Sequence, residues 1–482
     1  MTPLFILFFI ALYFAMLVVI SWRTGRNADN NTFFIGNRKS PWYLVAFGMI
    51  GASLSGVTFI SIPGWVGESQ FSYLQMVLGY LAGYAIIAYV LMPVYYHLQL
   101  TSIYTYLNHR FGSYAYKTGA SFFLLSRSIG SALRLYLSAS VLQIILFDPL
   151  HVPFWLTTVF IIFFIWLFTF RGGIRTVVWT DTIQTAFMLL SLVLCIVLIS
   201  HRLGFSATDL FHAIRQSEYS RIFFFDDWFD KRHFIKQFLS GMLITLTMTG
   251  LDQDLMQKNL SCRNLREAQK NMCWFSLSLV PVNIIFLSLG ALLYLFAHQT
   301  GMALPARSDD LFPMIATQSF MPAAFLAIFT IGLVSTTYSS ADSALTSLTT
   351  SFTIDIINVH NRTEQEIQQI RQRVHVLFAM LMVVLILLFR LINNQSVVSA
   401  VFTAAGYTYG PLLGLYAFGL FTPFSIRDKW VPFFAIASPF LTYMIKYFLI
   451  RIFNFDLGFL ILGVNGLLMF GSLFIIREKE KK

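Results

Sequence analysis

The sequence predicts an all-α polytopic membrane protein with about thirteen transmembrane helices, some of them discontinuous. Three observations carry this reading. Of 482 residues, 57% are hydrophobic and only 11% are charged, more apolar surface than a soluble chain of this length could hide. The apolar residues come in runs near the ~20 positions that a helix needs to cross a bilayer. Basic residues gather in alternate gaps between those runs.

The first run, about 3–22, lacks a basic leader and a small-residue cleavage site, so it reads as a retained helix and not a signal peptide. The second, Trp42 to Trp65, is crowded with glycine, serine and proline from Gly48 to Gly64. That is a poor continuous helix but a good interrupted one, with backbone carbonyls freed near its middle. Further runs fall at about 73–99, 119–147, 153–170, 176–200, 234–251, 273–297, 321–357, 374–392, 396–421, 431–450 and 456–476. The run at 234–251 also breaks, through Thr245, Thr247, Thr249, Gly250, Asp252 and Gln253. Thr101 to Gly112 reads as a short amphipathic helix with a glycine stop. Thr363 to Arg373 reads as a polar, solvated helix. No separate soluble domain is indicated, and 1–482 is read as one transmembrane domain.

Loop charges give the crossing count a direction. Arg23, Arg26, Arg38 and Lys39 follow the first crossing; Arg110 and Lys117 follow the third; Arg171 and Arg175 the fifth. Lys258, Arg263, Arg266 and Lys270 follow the seventh, and Arg362, Arg371 and Arg373 the ninth. Arg427 and Lys429 follow the eleventh, and a basic tail from Arg477 the thirteenth. All of these fall on one side, the cytoplasmic one by the positive-inside rule, so a multi-pass protein of the plasma membrane is expected with its N-terminus outside and its C-terminus inside. The formal charge of +11 therefore reports topology, and no basic run with interleaved aromatics suggests nucleic acid. Cys195, Cys262 and Cys273 show no pairing or metal-site spacing.

One stretch stands out, Thr336 to Ser343, inside the apolar run 321–357. As a helix it aligns Thr336, Ser339, Ser340 and Ser343 on one face, and Asp342 shares that face. A carboxylate and several hydroxyls at membrane depth are costly unless they meet a partner, a cavity or an ion. Hard oxygen donors without a soft ligand suit a small hard cation. Single hydroxyls in such helices more often serve close packing, but the set with its acid favours an ion. Asp181 sits near the end of another crossing, and Arg127 and Arg134 lie one heptad apart inside 119–147.

Several stretches together resemble those of the sodium/solute symporter family. They are Gly51-Ala-Ser-Leu-Ser-Gly56 with Pro63-Gly64, the run from Thr101 to Gly112, and Gly172-Gly-Ile-Arg-Thr-Val-Val-Trp-Thr-Asp-Thr-Ile-Gln184. Gly250-Leu-Asp-Gln-Asp-Leu-Met-Gln-Lys258, the run from Ser339 to Asp355 and Gly410-Pro-Leu-Leu-Gly414 complete the set, which covers nearly the whole chain. The resemblance implies a LeuT-like five-plus-five inverted repeat at about 41–201 and 232–421, with one helix before it and two after at about 430–476. The second and seventh crossings would be its paired discontinuous helices.

The resemblance also implies where sodium sits. The family's common site maps onto carbonyls of Gly51 and Leu54, a carbonyl of Thr336, and the hydroxyls of Ser339 and Ser340. Some members resemble a second pattern, which here would join Asp181 to Ser339, Asp342 and Ser343. Family members usually carry a serine or another small residue where Asp342 stands, a departure that would strengthen the second site or let it titrate with protons. Solute contacts are expected from Ser55, Thr58, Gln75, Arg134, Asp252 and Gln253. A buried guanidinium is the natural partner of a carboxylate because its fork meets both oxygens.

The function expected is therefore uptake of a small organic solute, coupled to one or two Na⁺ ions, by alternating access of a monomer. The arginines lean the solute towards an acidic sugar such as sialic acid or another carboxylate. Proton coupling, or a neutral sugar or amino acid, is the alternative on the same fold. No nucleophile–base pair or metal-ligand spacing lies in the crossings, so an enzyme is not expected. Nor does any ring of one residue type suggest a channel, and no appended domain suggests a sensor.

Overall fold

The bilayer leaves an apolar chain only two ways to satisfy its backbone, and among the described residues the apolar runs of this one are helical, with only a two-residue strand pair, Ser425–Ile426 with Arg477–Glu478, outside them. The computed structural model describes residues 3–26, 29–170, 173–318, 321–359, 362–392 and 397–478. Among these, nine helices are long and apolar enough to cross a membrane, from Leu7–Gly25 to Gly458–Ile475. A bent pair, Phe234–Gly250 with Gln253–Leu260, adds a tenth, with 63° between its halves. Gly56–His97 counts among the nine but turns at Gln70–Ser72, so it holds the end of one crossing and the whole of the next. Shorter apolar helices fill the remaining segments: Trp42–Ser53, Phe154–Leu167, and Val397–Thr408 with Gly410–Phe421. Each run expected from the sequence thus coincides with a helix or a helix pair.

Two expectations are corrected. The helix expected over Thr101 to Gly112 is only Thr105–Arg110, because the carbonyl of Thr101 and the amide of Ile103 bond to the Gln253 side chain instead of to a helical neighbour. The polar helix at 363–373 is not separate: it forms the opening turns of Glu364–Ile392, and Arg371 is buried with its guanidinium 4.3 Å from the Phe33 ring. Arg171, Gly172 and the tail beyond Glu478 lie outside the described residues.

The interior is organised by the helix Gly173–Leu203, which packs against Ala323–Ser351 on one side and Trp42–Ser53 on the other. Gly51 permits the second of these contacts. A Cβ there would stand 2.2 Å from Thr185 Oγ1, whereas the bare backbone lets the Gly51 amide donate to that hydroxyl at 3.0 Å. Glycine is needed here for close approach, not for its backbone freedom.

Candidate functional site

Both interrupted crossings break where the sequence is rich in small and polar residues. Trp42–Ser53 ends at Leu54, whose φ of −90° and ψ of 78° leave the helical region, and a new helix starts at Gly56. The carbonyls of the last turn, Gly51 among them, thereby lose their helical donors. A Cβ on Gly56 would lie 3.1 Å from Thr337 Oγ1, so the break faces the polar stretch of Ala323–Ser351. Thr336, Ser339 and Ser340 are all buried there. Thr336 and Ser340 donate back to the carbonyls of Leu333 and Thr337, at 2.8 and 3.2 Å, and Ser339 turns to Asp181.

In the second interrupted crossing a π turn at Leu246–Gly250 leads into a break, and Asp252 caps the inner helix Gln253–Leu260 by accepting from the Asp254 amide at 2.8 Å. That inner helix carries two residues with chemistry: Asp254 and, one turn later, Lys258.

Lys258 is not a loop residue. It is 1% exposed, and its ammonium lies 2.6 Å from Asp181 Oδ2. The other oxygen of Asp181 accepts from Ser339 Oγ at 2.6 Å. The expected second sodium pattern, Asp181 with Ser339, Asp342 and Ser343, therefore meets a cation already in place. Asp342 accepts from Thr180 Oγ1 at 3.2 Å and from the Ser343 amide at 2.5 Å. Ser343 Oγ instead donates to Asp254.

Asp254 is also paired with Arg127, whose other terminal nitrogen is 3.8 Å from Asp252. Asp252 accepts in turn from the Tyr409 hydroxyl. Gln253 accepts from the Ile103 amide at 3.0 Å and donates to the Thr101 carbonyl at 2.9 Å, while the Tyr104 hydroxyl donates to the Leu251 carbonyl at 2.9 Å. A polar layer thus pins the second break to the 101–104 turn. With so many buried polar groups, this layer holds only because nearly every member has a partner.

Above that layer a cavity of about 90 Å³ opens between the two breaks, lined by Ser53, Ser55, Thr58, Tyr80, Thr249 and Asn283 among others, with Arg127 and Arg134 both reaching it. Arg127 is held by carboxylates. Arg134 makes no ion pair among the described residues. On the far side, rings close together: Trp65 lies 6.1 Å from Tyr73 and 6.4 Å from Phe459, and Phe459 lies 5.1 Å from Phe402.

Of the expected solute contacts, Ser55, Thr58 and Arg134 line this cavity, and Asp252 and Gln253 belong to the polar layer beneath it. Gln75 lies elsewhere: it donates to the Arg232 carbonyl at 2.8 Å and accepts from the Phe224 amide at 3.2 Å, tying down the loop before Phe234. Sequence reasoning overlooked Asp254 and Lys258. They are four apart in a buried helix and could have been flagged as a charged pair on one face, but Lys258 was grouped with the basic loop that follows it.

The comparisons with known proteins agree with this architecture. The sodium:solute symporter family matches residues 33–424. A sodium/sialic acid symporter of Aliivibrio fischeri is 26% identical over 407 residues, 83% of this chain and 79% of that protein. The sodium/iodide cotransporter of Homo sapiens is 24% identical over 428 residues, 85% of this chain and 65% of that protein, so the match spans just under two thirds of that relative. Among solved structures, a substrate-bound, outward-open Na⁺-coupled sialic acid symporter superposes with a TM-score of 0.82 at 19% identity, covering 100% of this chain and 99% of that one. Mhp1, a nucleobase-cation-symport-1 family transporter, gives 0.57 at 15% identity over 92% of this chain and 94% of its own. At such identities the superpositions speak for the fold alone: an all-α membrane architecture with discontinuous helices in an inverted repeat. On the family match across 33–424, this chain belongs to the sodium:solute symporter family.

Proposed function

We propose that the chain is a Na⁺-coupled symporter that takes up a small solute bearing a carboxylate. The observation that carries the solute class is Arg134, a guanidinium with no carboxylate partner among the described residues at the wall of the cavity between the two breaks. Its planar fork binds both oxygens of a carboxylate, and a cavity bounded by helices keeps that pair away from water. Ser55 and Thr58 offer hydroxyls on the same wall. A relative named for sialic acid, itself a carboxylate, supports the same class, and one named for iodide supports an anion.

Sodium would bind where the first break meets the polar helix, through carbonyls of Gly51, Leu54 and Thr336 and hydroxyls of Ser339 and Ser340. It bridges the two repeats, 41–201 and 232–421, and so favours the form in which the solute pocket is complete, a coupling that works in both directions. Residues 101–104 and the inner helix Gln253–Leu260 lie on the cytoplasmic side in the orientation with the N-terminus outside. Opening inwards then requires the polar layer around Arg127, Asp252 and Gln253 to part. Monomeric operation and a plasma-membrane location complete the reading.

A second reading, proton coupling, is favoured by Asp342, whose hydrogen-bond partners among the described residues are a hydroxyl and an amide. Uptake into proteoliposomes, with Na⁺ and pH gradients imposed separately, tests both. Accumulation of sialic acid or a short monocarboxylate, but not of a neutral sugar, on a Na⁺ gradient is the expected result. Movement indifferent to either gradient would sink the symport reading.

A further inference from the structure

We propose that Lys258 is a built-in cation at the position the second sodium pattern assigns to an ion, so that this chain binds a single Na⁺. The inference rests on the sodium reading above and concerns only how many ions the chain holds.

The pattern needs a carboxylate, Asp181, with hydroxyls beside it from the Ser339 helix. Both parts are present and buried. The position between Asp181 and the second broken helix, however, is filled by the Lys258 ammonium at 2.6 Å from Asp181 Oδ2, with the lysine 1% and the aspartate 0% exposed. An ammonium used in this way is a compact point charge, the role an alkali cation would play. Ser339 Oγ completes the coordination of Asp181 from the other side at 2.6 Å.

A second sodium at Asp181 would have to sit against a like charge at a buried position, where charges are screened far less than at the surface. Ser343, the other hydroxyl of the pattern, donates to Asp254 on the same inner helix as Lys258. Lys258 and Asp254 thus tie Gln253–Leu260 to the Asp181 and Ser339 helices through side chains of the protein itself. In a site with a second ion, that tie would come and go with sodium. Here the cation in that tie is a side chain of the broken helix and stays with it.

The test counts sodium on the purified full-length chain in lipid nanodiscs, by equilibrium binding of radioactive sodium and by the Hill coefficient of sodium-dependent tryptophan fluorescence. Wild type should bind one ion per chain with a coefficient near one. Lys258→Met keeps the apolar stem and removes the charge, and should bind two ions. Asp181→Asn with Lys258→Met should return to one, because the carboxylate that would hold the second ion is gone. Two ions on wild type would overturn the inference, as would a folded Lys258→Met that still binds one. If Lys258→Met does not fold, the wild-type count decides alone. Wild type that binds no sodium at all would instead overturn the symport reading.

Discussion

Arg127 and Asp254, on the helices Ser113–Leu142 and Gln253–Leu260, form a buried ion pair beneath the cavity. It joins a cavity-lining cation to the helix that follows the second break, so what happens in the cavity is felt where the polar layer must part. Asp254→Asn leaves Arg127 with Asp252 at 3.8 Å as its remaining acid. Removing one partner of a buried pair costs about 3–5 kcal/mol, and the surviving contact places this loss near ~3. Thermal unfolding in detergent should show it. An unchanged midpoint would mean that the pair is not buried in the working protein.

Arg134→Gln removes a guanidinium that forms no ion pair among the described residues, while keeping much of its bulk. If that group holds a solute carboxylate, KM should rise by roughly 30-fold, the lower end of what losing one member of a desolvated charge pair costs. Sodium binding without solute should stay as it was. Equal KM values for mutant and wild type in proteoliposome uptake would remove Arg134 from the solute site.

Ser340→Ala deletes one hydroxyl from the position where the first break meets the Ser339 helix. Losing a single oxygen contact to a charge should weaken sodium binding by about tenfold. Solute affinity should fall in sodium and be unaffected without it. A change of equal size in both conditions would show that the residue acts on the solute pocket and not through the ion.

Gly51→Ala forces a methyl into the space of the Thr185 hydroxyl, where a Cβ has only 2.2 Å. Overpacking of this kind costs about 1–3 kcal/mol and should lower both the unfolding temperature and sodium affinity. Thr185→Ala on the same background removes the clashing oxygen and should restore part of each. No recovery in the double variant would mean that the Gly51 carbonyl position, not the clash, is what matters.

The sequence by itself determined the class of the fold and the places where its helices fail. Runs of about twenty apolar residues must become crossings, because lipid offers no partner to an open backbone. Small residues from Gly48 to Gly64, and hydroxyls and glycine before Asp252, mark breaks by local chemistry alone. The hydroxyl face at Thr336, Ser339 and Ser340 was legible for the same reason, since helical spacing fixes which side chains share a side. Charge partners were another matter. Whether Arg127 or Arg134 was neutralised, and whether Lys258 belonged to a basic loop or to a buried pair, depends on acids far off in the chain: Asp254 is 127 positions from Arg127, and Asp181 lies on another helix from Lys258. Periodicity cannot see such contacts. Only the packing of Gln253–Leu260 between the Asp181 and Ser339 helices brought Lys258 against Asp181, 2.6 Å apart, where the carboxylate's charge offsets the cost of taking the ammonium out of water.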